Sequence, residues 1–300
     1  RARPVKASKR CSGPAAVTAC AALPSTDDAT RKLRSGSREP LLRIEALCVC
    51  YTLKQGLLRR KVGEVRALEG VDLRLLQGQT TLVVGEPGSG KTTLARGITR
   101  AAPIASGRLL LEGKDLLTLR GAELRATRGW VRALEASEAR SADLLGSVRA
   151  LLAAEPKLVI FDGALDDVAA SVRTAIVREL SAAQAARGLT CLVLSRSLRL
   201  ANLADDVAVL LAGRVVETGG GAMLGARPQH PYTQQLAGAS RGVAAAEQPT
   251  NRATVSTPGC RFRERCPHAF ARCAESEPSL FAVPGGTSRC FLHDPSASGR

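Results

Sequence analysis

Residues 85–93 read GEPGSGKTT, and this short run limits the fold more than any other feature of the chain. It follows a β-branched, apolar run at 80–84 (TTLVV), and residues 92–100 behind it carry helical spacing. Strand, glycine loop and helix in that order are the setting in which such a pattern is a phosphate cradle. Gly85, Gly88 and Gly90 permit backbone angles that a Cβ forbids, so successive amide hydrogens can turn toward phosphate oxygens. The helix start adds the positive end of its dipole. Lys91 is placed for the β- and γ-phosphates and the Thr92 hydroxyl for magnesium. Gly85, Glu86, Pro87, Gly88, Ser89, Gly90, Lys91, Thr92 and Thr93 are therefore expected to bind a nucleoside triphosphate, ATP with magnesium.

Magnesium needs a carboxylate as well, and residues 158–162 (LVIFD) end an apolar strand in Asp162. A second apolar run at 189–195 lies beyond a helix-like stretch at 168–187, which implies parallel strands joined by right-handed crossovers. Residues 42–51 read as a strand, 67–76 as an edge strand, and 207–216 as a hairpin turning at Ala212 and Gly213. The expected class is α/β: a P-loop NTPase with a small antiparallel β subdomain and a cysteine-containing C-terminal extension. Residues 1–40 mix Arg, Ser and Pro without period and read as a disordered tail or linker. The expected organisation is thus a tail at 1–40, a nucleotide-binding domain at 41–225 and an extension at 226–300. Within the extension, 227–239 reads as a short helix and 241–257 as a linker. Arg1 stands where an initiator Met would, consistent with a fragment, a processed form or half of a fusion.

A formal charge of +16 raises nucleic acid as a partner, but aromatics are only 3% of the 300 residues and leave little to stack on bases. No window approaches the eighteen consecutive apolar residues that a membrane-spanning helix requires. Any membrane role must come through a partner.

Taken together, LLRIEALCVCY, VRALEGVDLRLLQGQTTLVVGEPGSGKTTLARGI, SGRLLLEGKDLL, EPKLVIFDGALDD, VAVLLAGRVVETG and HPYTQQLAGA resemble, in this order, the ATP-binding subunit of oligopeptide, dipeptide and nickel importers of the ATP-binding cassette family. The resemblance implies an ABC-type nucleotide-binding domain and an adenine-stacking aromatic at Tyr51. It implies Asp162 as the Walker B carboxylate and Glu135 in the place of the Q-loop glutamine. The implied partners are a second cassette, as homodimer or heterodimer, two transmembrane permeases and, indirectly, a substrate-binding protein. The implied place is cytoplasmic, peripheral on the inner face of the cell membrane.

The chain also departs from that family. The position after Asp162, where a glutamate would act as general base, is Gly163, and the switch histidine is replaced by Arg196. Residues 137–146 contain no LSGGQ signature, and only 71 positions separate Lys91 from Asp162, too few for the usual helical subdomain. A degenerate cassette that binds ATP and hydrolyses it weakly is the expectation. Asp166 is a candidate substitute base, with a D-loop aspartate as its plainer role. The rivals are a stand-alone P-loop enzyme such as a small-molecule kinase, which would need a base and a pocket, and a redox-sensing pseudo-ATPase outside transport.

Cys260, Cys266, Cys273 and Cys290 are spaced by five, six and sixteen residues, which fits neither a zinc ribbon nor a bacterial ferredoxin run. They resemble the extension in which some peptide-importer cassettes bind a [4Fe-4S] cluster. Zinc, with His268 or His293 as further ligands, and unliganded thiols stay open. Cys48 and Cys50 alternate with apolar residues as core positions.

Overall fold

The computed structural model describes residues 39–55, 60–139, 143–240 and 258–297. The sequence-based tail and the 241–257 linker lie almost wholly outside them. The chain opens with long antiparallel strands, β1 (Pro40–Gln55) and β2 (Arg60–Leu76). Two more, β4 (Ile104–Leu111) and β5 (Lys114–Asp115), complete a four-stranded sheet in the order β2-β1-β4-β5. Here 67–76 is an edge, as its alternation predicts, but the strand begins seven residues earlier.

The second sheet contains the phosphate loop. Its central strands are β3 (Thr80–Val84), β6 (Val131–Glu135), β7 (Leu158–Asp162), β8 (Thr190–Ser195) and β9 (Asp206–Leu211), with β10 (Arg214–Gly220) returning beside β9. Strands β6, β7, β8, β3 and β9 run parallel, and the turn into β10 falls at Ala212 and Gly213 as expected. Two short C-terminal strands, β11 (Phe281–Val283) and β12 (Gly286–Ser288), extend this sheet on the far side of β10, giving the order β11-β12-β10-β9-β3-β8-β7-β6.

Strand β8 is buried at every position and β3 and β7 at nearly every one, so both faces of the sheet need cover. Alternation divides them. Val159 and Phe161 pack with Val148, Ile176 and Leu180 on one side, while Leu158 and Ile160 pack with Leu47, Leu68, Leu94 and Ile98 on the other. The first side is covered by α4 (Leu144–Ala153) and α5 (Ala170–Arg187), the second by α1 (Lys91–Ile98) and the antiparallel sheet. Helix α5 ends at Gly188 in the left-handed region, and α4 begins at Asp143, whose carboxylate accepts from Gly146 N at 2.7 Å.

Between β5 and β7 the described residues hold only α2 (Gly121–Trp130), β6, the four-residue α3 (Ala136–Ala139) and α4. The remaining helices are α6 (Gly221–Ala226), α7 (Pro231–Ser240), which contains the PYTQQL stretch, and α8 (Ala271–Glu275). No helix among the described residues is long and apolar enough to cross a membrane.

Candidate functional site

The loop from β3 to α1 opens onto a cleft of about 1230 Å³ at the carboxyl ends of the parallel strands, where ligands bind in open α/β sheets. Pro87, Gly88, Gly90, Lys91, Thr92 and Thr93 line it from the loop, Glu135 from β6, and Asp162, Asp166 and Arg196 from the ends of β7 and β8. Glu135 and Asp162 are register partners across β6 and β7, so the two carboxylates stand on the same wall of the cleft. Tyr51 does not line the cleft. It pairs with Val65, which does, and its ring packs toward the core between the two sheets.

The loop demands glycine where backbone meets backbone. A Cβ on Gly90, at φ 109°, would stand 2.7 Å from the Ala67 carbonyl oxygen, and one on Gly85 would meet the Leu210 carbonyl. The Lys91 ammonium donates to the carbonyl oxygens of Gly85 at 2.6 Å and Glu86 at 3.0 Å. Burial draws its pKa down to about 8, against the pull of the Asp166 and Asp162 carboxylates, while Arg196 pushes in the same direction as burial. A half-buried cation at the start of a helix, among carbonyls it can exchange for phosphate oxygens, fits a triphosphate. Thr92 and Asp162 supply the oxygen ligands that suit magnesium.

Three contacts brace the loop from behind. Gly213 N, in the β9–β10 turn, donates to Ser89 O at 2.8 Å. Glu86 N donates to the Tyr232 hydroxyl on α7 at 2.9 Å. The Glu86 carboxylate is gripped by both terminal nitrogens of Arg265, at 2.9 and 3.2 Å, and that guanidinium lies over the rings of Tyr232 and Phe262. The HPY run is thus a structural stitch. His230 N and Gln229 N donate to the Glu217 carboxylate of β10, and the His230 Nδ1 accepts from Tyr232 N. Burial holds the His230 imidazole down to about 4. Neither Arg265 nor Glu217 is marked by any local pattern in the sequence.

The opposite wall is arranged differently. Gly163 follows Asp162 with φ 67°, and no carboxylate stands there. Asp166 accepts from the Ser195 hydroxyl at 2.5 Å, from Arg196 N at 3.1 Å and from Arg196 Nε at 3.2 Å, and a terminal nitrogen of Arg196 reaches Asp167 at 2.9 Å. Asp166 is only 7% exposed. Its lone pairs are largely taken, which ties the segment after β7 to the end of β8. Arg196, in place of the switch histidine, is tied to these carboxylates.

Cys260, Cys266, Cys273 and Cys290 all border one small cavity of about 10 Å³, together with His268 and Phe262. Burial raises the Cys260 and Cys266 thiols and lifts Cys290 to about 11. Among the described residues, no three metal-ligating side chains stand close enough to hold a metal ion. As arranged, the four thiols converge but do not form a cluster site. Cys48 is buried as expected, its sulfur accepting from Gly70 N, while Cys50 is half-buried.

Comparison with known proteins agrees with this geometry. Residues 68–188 match a family described as ABC transporter, and residues 216–273 one described as the oligopeptide/dipeptide transporter C-terminal region. The probable peptide ABC transporter ATP-binding protein y4tS of Sinorhizobium fredii is 30% identical, covering 87% of this chain and 92% of that protein. A putative peptide import ATP-binding protein of Brucella ovis is 27% identical over 85% of this chain and 98% of its own length. The oligopeptide transport ATP-binding protein OppD of Mycobacterium tuberculosis is 31% identical over 68% of this chain but only 42% of its own length. The Sinorhizobium alignment is 331 positions long and is filled by 87% of a 300-residue chain, so about 70 positions of the relative have no counterpart here. Among solved structures, a bacterial Atm1-family ABC exporter with ATP bound has a TM-score of 0.52 at 18% identity, covering 71% of this chain and 44% of that one. An ATP-binding cassette of an ABC transporter has 0.51 at 19%, covering 68% and 98%. These likenesses show the fold.

Proposed function

The chain belongs to the ATP-binding cassette family of transporter subunits, and on that premise we propose that it binds ATP with magnesium, serves a peptide importer, and turns nucleotide over slowly. The phosphate loop carries this reading: its glycines are packed against neighbouring backbone and its lysine lies on carbonyls at the cleft wall. Lys91 and the loop amides would hold the phosphates, and Thr92 and Asp162 would hold magnesium, which would supply positive charge to offset that of the phosphates. Titrating the full chain with Mg-ATP in a calorimeter should release heat, and a flat titration would sink the proposal.

Slow turnover rests on the opposite wall. No general base follows Asp162, Asp166 is engaged, and Glu135 lies on the neighbouring strand end. In the family each ATP is enclosed by one cassette's loop and the other's signature segment. Here α4 starts instead with the carboxylate of Asp143 on its own amides, a negative charge in a place that would have to welcome phosphate.

Peptide as cargo is supported by the printed names of the relatives and by the match over 216–273. The same names favour a transport subunit over a stand-alone kinase or a redox-sensing pseudo-ATPase. The partners are then a second cassette and two membrane permeases, with a substrate-binding protein acting through the permeases from the other side, and the chain sits peripherally on the cytoplasmic face. Co-purification with two permeases is the test, and recovery of the chain without them from its native membrane would count against transport. For the tailpiece, a metal centre, iron-sulfur or zinc, rests only on four thiols bordering one cavity; as arranged, no three ligands among the described residues are close enough, and a cavity of about 10 Å³ holds roughly one water and would have to open first. Iron and zinc analysis of anaerobically purified protein decides it.

A further inference from the structure

Glu86 puts a carboxylate inside a loop whose task is to receive an anion. Its backbone N is fixed by Tyr232, and its side chain turns away from the cleft wall toward Arg265, 179 positions on in sequence. Arg265 meets it with two parallel bonds, the geometry that best fixes a carboxylate, and both groups are less than one third exposed. Arg265 is itself held: it ends the short turn Arg263–Arg265, behind the fully buried Phe262, whose ring lies 5.5 Å from that of Tyr232. The Glu86 charge still reaches the cleft, because it acts on Lys91.

We propose that Arg265 is a positioning residue for the nucleotide site: it neutralises and anchors Glu86 so that the loop presents a net attractive face to a triphosphate. The C-terminal extension thereby completes the phosphate loop electrostatically, without touching the nucleotide. This rests on the Mg-ATP reading above.

The experiment compares Mg-ATP affinity of the full chain and four variants by calorimetry at low ionic strength. Arg265→Ala should bind about threefold to tenfold more weakly, because an unpaired negative charge is left beside the phosphates. Glu86→Gln added to Arg265→Ala should restore affinity to within about twofold, a rescue that loss of packing alone would not give. The penalty should also shrink as salt rises. Arg272→Ala removes a different pair in the same extension, the one with Asp294, and should leave affinity unchanged. Arg265→Gln carries the same expectation as the alanine variant should that one not fold. Wild-type affinity in both Arg265 variants, no recovery in the double variant, or an equal loss in Arg272→Ala would each overturn the proposal. A wild-type chain that binds no Mg-ATP would instead overturn the nucleotide reading beneath it.

Discussion

The two walls of the cleft are built from the same sheet yet differ in what they retain. On the loop side the groups proposed to bind phosphate are braced: glycines in tight approach, Lys91 on loop carbonyls, and supports from Gly213, Tyr232 and Arg265. On the side formed by the ends of β7 and β8, Gly163 follows Asp162, and the nearby acids satisfy Arg196 and Ser195. On the proposed reading, binding and turnover are assembled from different strand ends, so one can erode while the other stays whole.

The largest effect that tests this contrast is in turnover. Steady-state phosphate release should run about 10² to 10⁴ below that of a cassette with its general base. Gly163→Glu should not restore it, since φ 67° is a region that a β-carbon resists. A turnover near one per second, abolished by Lys91→Ala, would break the contrast. Next in size, Lys91→Ala should weaken Mg-ATP binding about tenfold to a hundredfold, read by calorimetry, because a charged donor to the phosphates is lost. Smaller again is a pH effect on affinity. The Lys91 pKa lies near 8 in the free protein and must rise beside phosphates, so binding takes up a proton above that pH. Affinity should be steady from about pH 7 to 7.5 and fall as pH climbs through 8 to 9.5, and a flat profile would contradict the lysine's placement. Smallest, Arg196→Ala should cost under about 1 kcal/mol of stability in denaturant titration, since that guanidinium is 53% exposed.

What was legible in the sequence was local. The strand-loop-helix at 80–98, the hairpin at Ala212 and Gly213, and Asp162 at a strand end are all set by short-range pattern, and each stands where expected. What escaped depends on distant pairing. The bond from Glu86 N to Tyr232 spans 146 positions, and Glu217 meets Ser288 only because β12 adds to β10. No window of residues signals such contacts. Tyr51 pairs with Val65, which lines the cleft, and its place against adenine rests on the resemblance alone. Asp166 is likewise met by partners about thirty residues further on, Ser195 and Arg196.

Strand β12 shields the backbone of β10 along Glu217, Thr218 and Gly219, and it does so at such close quarters that a Cβ on Gly286 would collide with the Thr218 carbonyl. A protein cut back to Ser240 would therefore carry a bare margin of hydrogen-bonding groups, open to recruitment by any neighbouring molecule. Shortened versions prepared to isolate the nucleotide-binding half should form insoluble assemblies, and soluble material will require keeping the final segment attached.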